Sequence, residues 1–274
     1  TSHFFLCGGR IVLEGSVVAM ARTIGTRGEL TNIARACFAE FLGTLLFAWL
    51  GSLGKQAAFG NGLSLATMIF ATASVSGGHL NPAVTASAMA TREIGVVKGT
   101  FYILSQLLGG IVGAAVEGGL SGTSFQSGSG PSCVTLSETS GVVFGYEYIM
   151  TFVLVFVVFA TAVNKSGNFG QIAPLAIGIA LYSCADAGGD VTGAYLNPAR
   201  YLGPALVYGC NLDKAWAYLL AQILGGVSAA FIYKTVMMKG GVFTPTSVAQ
   251  TSILAGETLT SVNLSVDDEY PLKT

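Results

Sequence analysis

From Val142 to Val163 the sequence runs for 22 residues with Glu147 as its only charged side chain. A helix needs about 20 mainly apolar residues to cross the hydrocarbon of a bilayer. Five further stretches come close: 33–54, 61–76, 96–119, 171–187 and 214–236. Within lipid the backbone must satisfy its own hydrogen bonds, so such runs read as helices. Of the 274 residues, 52% are hydrophobic and 10% charged, against about 25% charged in a soluble domain. So few charges cannot cover a water-facing surface. The chain therefore reads as an all-α, multi-pass protein of the lipid bilayer. A net charge of -1 without a basic stripe gives no footing for nucleic acid.

Lys and Arg predict the orientation. Arg10, Arg22, Arg27, Arg35, Arg92, Lys98, Lys165, Lys234, Lys239 and Lys273 fall on one side of the spans; Lys55, Arg200 and Lys214 fall on the other. The first side reads as cytoplasmic and holds both termini, a segment 1–32 and a polar tail 239–274. The connection 118–141 contains no Lys or Arg and reads as an outside loop. Cys7, Cys37, Cys133, Cys184 and Cys210 lack the close spacing of a zinc or redox motif. They are read as small apolar packing residues, with pairing of Cys133 and Cys210 left open.

The second and fifth stretches are each followed closely by Leu-Asn-Pro-Ala, at 80–83 and 196–199. The apolar segments that follow, 82–92 and 198–208, are helix-like but too short to cross. Asn is a strong helix cap and Pro is favoured at the first helical position, so Asn81-Pro82 and Asn197-Pro198 each predict a helix start. The two halves match further. Gln106 and Gln222 repeat at the same 116-residue offset as the two asparagines, within SQLLGGIVGA and AQILGGVSAA. Glu40 and Thr44 align with Glu147 and Thr151 at an offset of 107. Each half, about 33–120 and 142–238, thus reads as span, span, half-helix, span. Three spans per half force the halves into opposite senses, an inverted repeat. The half-helices then dip in from opposite faces, which is tolerated only where they meet protein or a water-filled cavity. Their positive ends and the Asn81 and Asn197 amides would point into one passage. Such a site donates to lone pairs and repels cations, which suits a small neutral molecule.

These motifs resemble the aquaporin, or major intrinsic protein, family over about residues 33–236. The resemblance implies six transmembrane helices plus two re-entrant half-helices in a channel domain 33–238, assembled as homotetramers. It also implies passive conduction of water and, in some branches, glycerol, urea, ammonia or hydrogen peroxide, with no reaction catalysed. Under it, Asn81, Pro82, Ala83, Asn197, Pro198 and Ala199 form the pore centre. The carbonyls of Gly77, Gly78, His79, Gly193, Ala194 and Tyr195 line its approaches, and Glu40 and Glu147 hold the loops from behind. Carried over position by position, the outer constriction falls on Asn61, Ala185, Ala194 and Arg200, with Arg200 as the cation-repelling donor. Strict water channels of the family have an aromatic and a His at the first two positions. The glycerol branch has Asp where Tyr201 stands. This chain departs from both.

The expectation is therefore a channel for water and for urea, ammonia or hydrogen peroxide, with glycerol the least supported, in a membrane for which the plasma membrane is favoured. The alternatives are a strictly water-selective channel and a mainly structural membrane protein on the same fold. No catalytic residue, metal ligand or cofactor is expected. His79 is read equally as a loop brace or a pH sensor. Tyr195 or Phe125 is placed to fold over the mouth. No buried acid is expected beyond Glu40 and Glu147, which argues against an ion-coupled carrier.

Overall fold

The computed structural model describes residues 27–52, 57–134, 138–167 and 169–238. Among these are six long helices and two short ones: α1 (Arg27–Ser52), α2 (Ala57–Ser76), α3 (Pro82–Ala90), α4 (Val96–Ser121), α5 (Ser140–Val158), α6 (Ala173–Thr192), α7 (Pro198–Tyr208) and α8 (Ala215–Ile232). Helix α1 begins at Arg27, six residues before the expected start of the channel domain at 33. The rest of the expected N-terminal segment, 1–26, and the whole tail 239–274 lie outside the described residues.

Among the described residues five helices are long and apolar enough to cross a membrane; α6 falls outside that set. It runs five residues past its expected end at 187, taking in Asp190, which like Asp186 within the expected stretch is exposed. Those two charges dilute an otherwise apolar helix. Gly193, with φ of 87°, then terminates it in the left-handed conformation that glycine adopts without strain.

The inverted repeat is visible in the backbone contacts. A Cβ on Gly62 of α2 would lie 2.5 Å from the Gly178 carbonyl of α6, and one on Gly178 would lie 2.5 Å from the Gly62 carbonyl. These residues are 116 apart, so the two helices meet face to face on the axis relating the halves. The half-helices cross over: α3 packs on α8, and α7 packs on α4. Gly110 of α4 touches the Ala199 carbonyl, and its mate Gly226 of α8 touches Ser87 of α3. Within each half, Gly109 and Gly113 press α4 onto α1, and Gly225 presses α8 onto α5. Small residues let helices approach this closely in lipid, where packing drives association.

One face of the molecule carries the 122–139 connection. There Gln126 N and Gly128 N donate to the Val207 and Tyr208 carbonyls at 3.0 and 2.8 Å, and Asn211 Nδ2 donates to Val134 O at 2.9 Å. Cys133 and Cys210 are joined by a disulfide. The packing reading is thus corrected for this pair, whose pairing the sequence left open. No spacing rule could have paired two cysteines brought together by a loop folding back on α7. Cys37 and Cys184 are free.

Candidate functional site

Both half-helices start as the Asn-Pro chemistry dictates. Asn81 Oδ1 accepts from Ala83 N at 2.8 Å, and Asn197 Oδ1 accepts from Ala199 N at 2.9 Å, each with proline at the first helical position. The sequence reading gave both amides to the passage. The structure commits part of each elsewhere, because Asn81 Nδ2 donates to Leu196 O at 2.9 Å and Asn197 Nδ2 to Leu80 O at 2.8 Å. One N–H of each amide thus ties the two halves together at their meeting point, leaving a second donor on each. The carbonyls are presented by strained backbone. Leu80 and Leu196 have φ of 50° and 53°, in the left-handed region that costs a non-glycine residue energy.

Behind each loop a fully buried glutamate collects four donors. Glu40 accepts from Ser76 Oγ, His79 N, Leu80 N and Gln106 Nε2 at 2.6 to 2.9 Å. Glu147 accepts from Thr192 Oγ1, Tyr195 N, Leu196 N and Gln222 Nε2 at 2.8 to 2.9 Å. The two sets are mates at the 116-residue offset. A carboxylate is needed here because two successive backbone N–H groups per loop have no helix or sheet to join. His79 is braced within this network, its Nδ1 lying 3.1 Å from Thr85 Oγ1 and its ring edge-on to Tyr102.

A cavity of about 330 Å³ leads from Glu93 and Gly170 to the two asparagines, lined by Gly77, Gly78 and His79 and by mainly apolar side chains. Asn61, Ala185, Ala194 and Arg200 do not line it. Their mates Ile177, Ile69, Gly78 and Val84 all do. The repeat therefore places the four expected constriction residues at the equivalent points on the far side of the asparagines, toward the 122–139 face. All four are buried there. Arg200 has Phe47 of α1 beneath its guanidinium, 5.1 Å from the ring centroid, and its Nη1 has no hydrogen-bond partner. Sequence reasoning missed Phe47, an unremarked aromatic in an apolar helix, because it sought the aromatic wall on α2.

Tyr195 does not close the mouth. Its ring is buried against Tyr201 and Tyr218, and its hydroxyl donates to Ser132 O at 2.6 Å. Phe125 remains exposed, beside Gly118. The expectation of only two buried acids is also corrected: Glu117, near the end of α4, is fully buried where the loop covers it.

Six long helices, two half-helices starting at one central point and a cavity leading to it define a membrane channel of inverted-repeat architecture. The chain belongs to the major intrinsic protein family, whose description, Major intrinsic protein, matches residues 29–233. It is 37% identical to aquaporin-4 of Mus musculus over 218 residues, covering 74% of this chain and 67% of that protein. It is also 37% identical to the probable aquaporin TIP1-2 of Oryza sativa subsp. japonica over 241 residues, covering 78% and 92%. The X-ray structure of the aquaglyceroporin from Plasmodium falciparum superposes with a TM-score of 0.62 at 26% identity, covering 74% of this chain and 96% of that one. The chain is thus an integral membrane channel of a family whose members conduct water and small solutes, and it is not an enzyme.

Proposed function

We propose that this channel conducts water together with urea, ammonia and hydrogen peroxide, and that it excludes ions and protons. The observation that carries the reading is the small constriction set. Ala185 and Ala194 supply little bulk, while Arg200 Nη1, buried and unpartnered, offers a donor; Asn61 Oδ1 is also unpartnered but lies against Gly51 of α1. A buried polar atom without a protein partner calls for a water or a solute. A solute carbonyl or hydroxyl that sheds its hydration shell recovers a hydrogen bond at such a donor. The Asn81 and Asn197 amides and the positive ends of α3 and α7 supply the central site.

One observation favours strict water selectivity: the Phe47 ring fills space beside Arg200. Stopped-flow measurements on vesicles with water, urea, ammonia, peroxide and glycerol separate the readings. Urea or peroxide flux well above the lipid background supports the broader one, and water flux alone rejects it. Arg200→Val is expected to raise proton and cation leak; an unchanged leak would remove Arg200 from the barrier.

The 122–139 face is proposed to lie outside. Arg92, Lys98, Lys165 and Lys234 all gather at the opposite end, and a disulfide suits an oxidising compartment. The assembly is proposed as a homotetramer in the plasma membrane, through helix faces such as those bearing Phe38, Phe70, Leu104 and Ile149, which are exposed in the single chain.

A further inference from the structure

Ser76 and Thr192, Asn81 and Asn197, and Gln106 and Gln222 are buried polar pairs at the 116-residue offset, and Glu40 is matched by Glu147, but two buried ionisable residues break the repeat at the same end of the molecule. The mate of Arg200 is Val84, and the mate of Glu117 is Tyr233. Arg200 lies on α7 and Glu117 on α4, whose backbones touch where a Cβ on Gly203 would sit 2.3 Å from the Gly110 carbonyl. Glu117 Oε2 accepts from Ser132 Oγ, and from Tyr208 OH at 3.1 Å, while Oε1 is buried without a partner. Arg200 also has an unpartnered buried nitrogen, and no carboxylate among the described residues lies within 4.0 Å of it.

Two carboxylates serve Tyr195 in the loop before Asn197: Glu147 accepts from its N–H at 2.9 Å, and its hydroxyl donates to Ser132 O at 2.6 Å while Ser132 Oγ donates to Glu117. Glu147 is accounted for by its four donors, and its mate Glu40 does the same work in the half that lacks the arginine. Glu117 has no such duty in the repeat. A buried cation without a counter-charge is costly, and in a low-dielectric surround two opposite charges weaken each other's field even out of contact.

We propose that Glu117 is a specificity-determining residue: a counter-charge that sets the height of the cation barrier raised by Arg200. The inference rests on the reading of Arg200 as that barrier. It follows that Arg200→Val does more than stop repelling cations, because it leaves an unopposed carboxylate at the mouth. Removing both charges brings the mouth back toward neutrality.

The test uses full-length protein in vesicles, with proton and sodium leak expressed per unit of water permeability so that poor insertion scales both. Four proteins are compared: unmodified, R200V, R200V/E117Q and R200V/S132A. R200V is expected to leak, and E117Q in that background to cut the leak roughly tenfold, the size of a through-space charge interaction at an effective dielectric near 20. S132A removes a hydrogen bond to Glu117 but keeps its charge, so R200V/S132A should leak like R200V. Should the Gln variant not fold, Glu117→Ala must shift the leak in the same direction. Leak unmoved by loss of the carboxylate, or lowered equally by S132A, overturns the proposal alone. An R200V protein as tight as the unmodified one overturns it together with the barrier reading.

Discussion

On the two sides of the Asn81–Asn197 meeting point, one backbone plan carries two different linings. Toward the cavity stand Ile69, Gly78, Val84 and Ile177; at the equivalent places toward the 122–139 loop stand Ala185, Ala194, Arg200 and Asn61. The scaffolds behind them are nearly superimposable in chemistry, with Glu40 and Glu147 each holding four mated donors. The contrast separates two kinds of demand. Any half with a broken helix must satisfy the freed backbone N–H groups, so that part of the pattern repeats. A charge barrier is needed only once along a passage, so the lining is free to diverge.

The hardest way to break this comparison is at the scaffold. Replacing Glu147 by Leu strips four buried donors of their acceptor, at about 1 to 3 kcal/mol each. That total is comparable to the whole stability of an ordinary domain, about 5 to 15 kcal/mol. Neither Glu40→Leu nor Glu147→Leu should yield monodisperse protein on size-exclusion chromatography. If one folds and the other does not, the two scaffolds are not equivalent.

A milder change tests the linings. Ala185→His restores bulk beside Arg200 and should reduce urea and peroxide flux roughly tenfold while water falls by less than about threefold. The mirror change, Ile69→His, swaps one bulky side chain for another in the open cavity. It should leave the solute-to-water ratio within about twofold, because bulk discriminates only where the passage is already narrow. Equal effects from the two variants would mean that the constriction lies elsewhere.

Among the described residues the disulfide has no counterpart on the opposite face, so its loss should be felt in stability more than in flux. Cys133→Ser breaks a link between residues 77 apart in sequence, and removing such a bond costs typically about 2 to 4 kcal/mol. Reductant or Cys133→Ser should lower the melting temperature of the detergent-solubilised protein, with water permeability at 25 °C nearly unchanged. A permeability that collapses on reduction would make the loop part of the conducting path.

What could be read from the sequence was local or repeated. Asn81-Pro82 and Asn197-Pro198 announce helix starts through cap chemistry alone, and Glu40 with Glu147 stood out because the surrounding letters recur. What could not be read depends on distant chain. Cys133 and Cys210 meet only after the loop folds over α7. Glu117 sits in a run of small residues near a helix end, where hydropathy suggests exposure, and that same loop buries it. Phe47 reaches Arg200 from α1, a helix with no motif linking it to the constriction.

The finest difference between the halves lies at Thr85 and its mate Tyr201. Thr85 Oγ1 accepts from Gln106 Nε2 at 2.9 Å, contacts His79 Nδ1 at 3.1 Å and donates within reach of Asn81 O at 3.1 Å. Tyr201 instead stacks on Tyr218 with centroids 4.2 Å apart and sends its hydroxyl to Asn211 O at 2.8 Å. Gln222, the mate of Gln106, is left with an unpartnered Oε1. Thr85→Val therefore removes the centre of a buried network and leaves a glutamine donor and a histidine nitrogen short of a partner, costing about 1 to 3 kcal/mol. Tyr201→Phe removes one hydrogen bond at a partly buried carbonyl and keeps the stacked ring, costing about 1 kcal/mol or less. Chemical denaturation in matched detergent should rank Thr85→Val as the more destabilised. The opposite order would place the critical polar network in the second half, behind the tyrosines, and not beside His79.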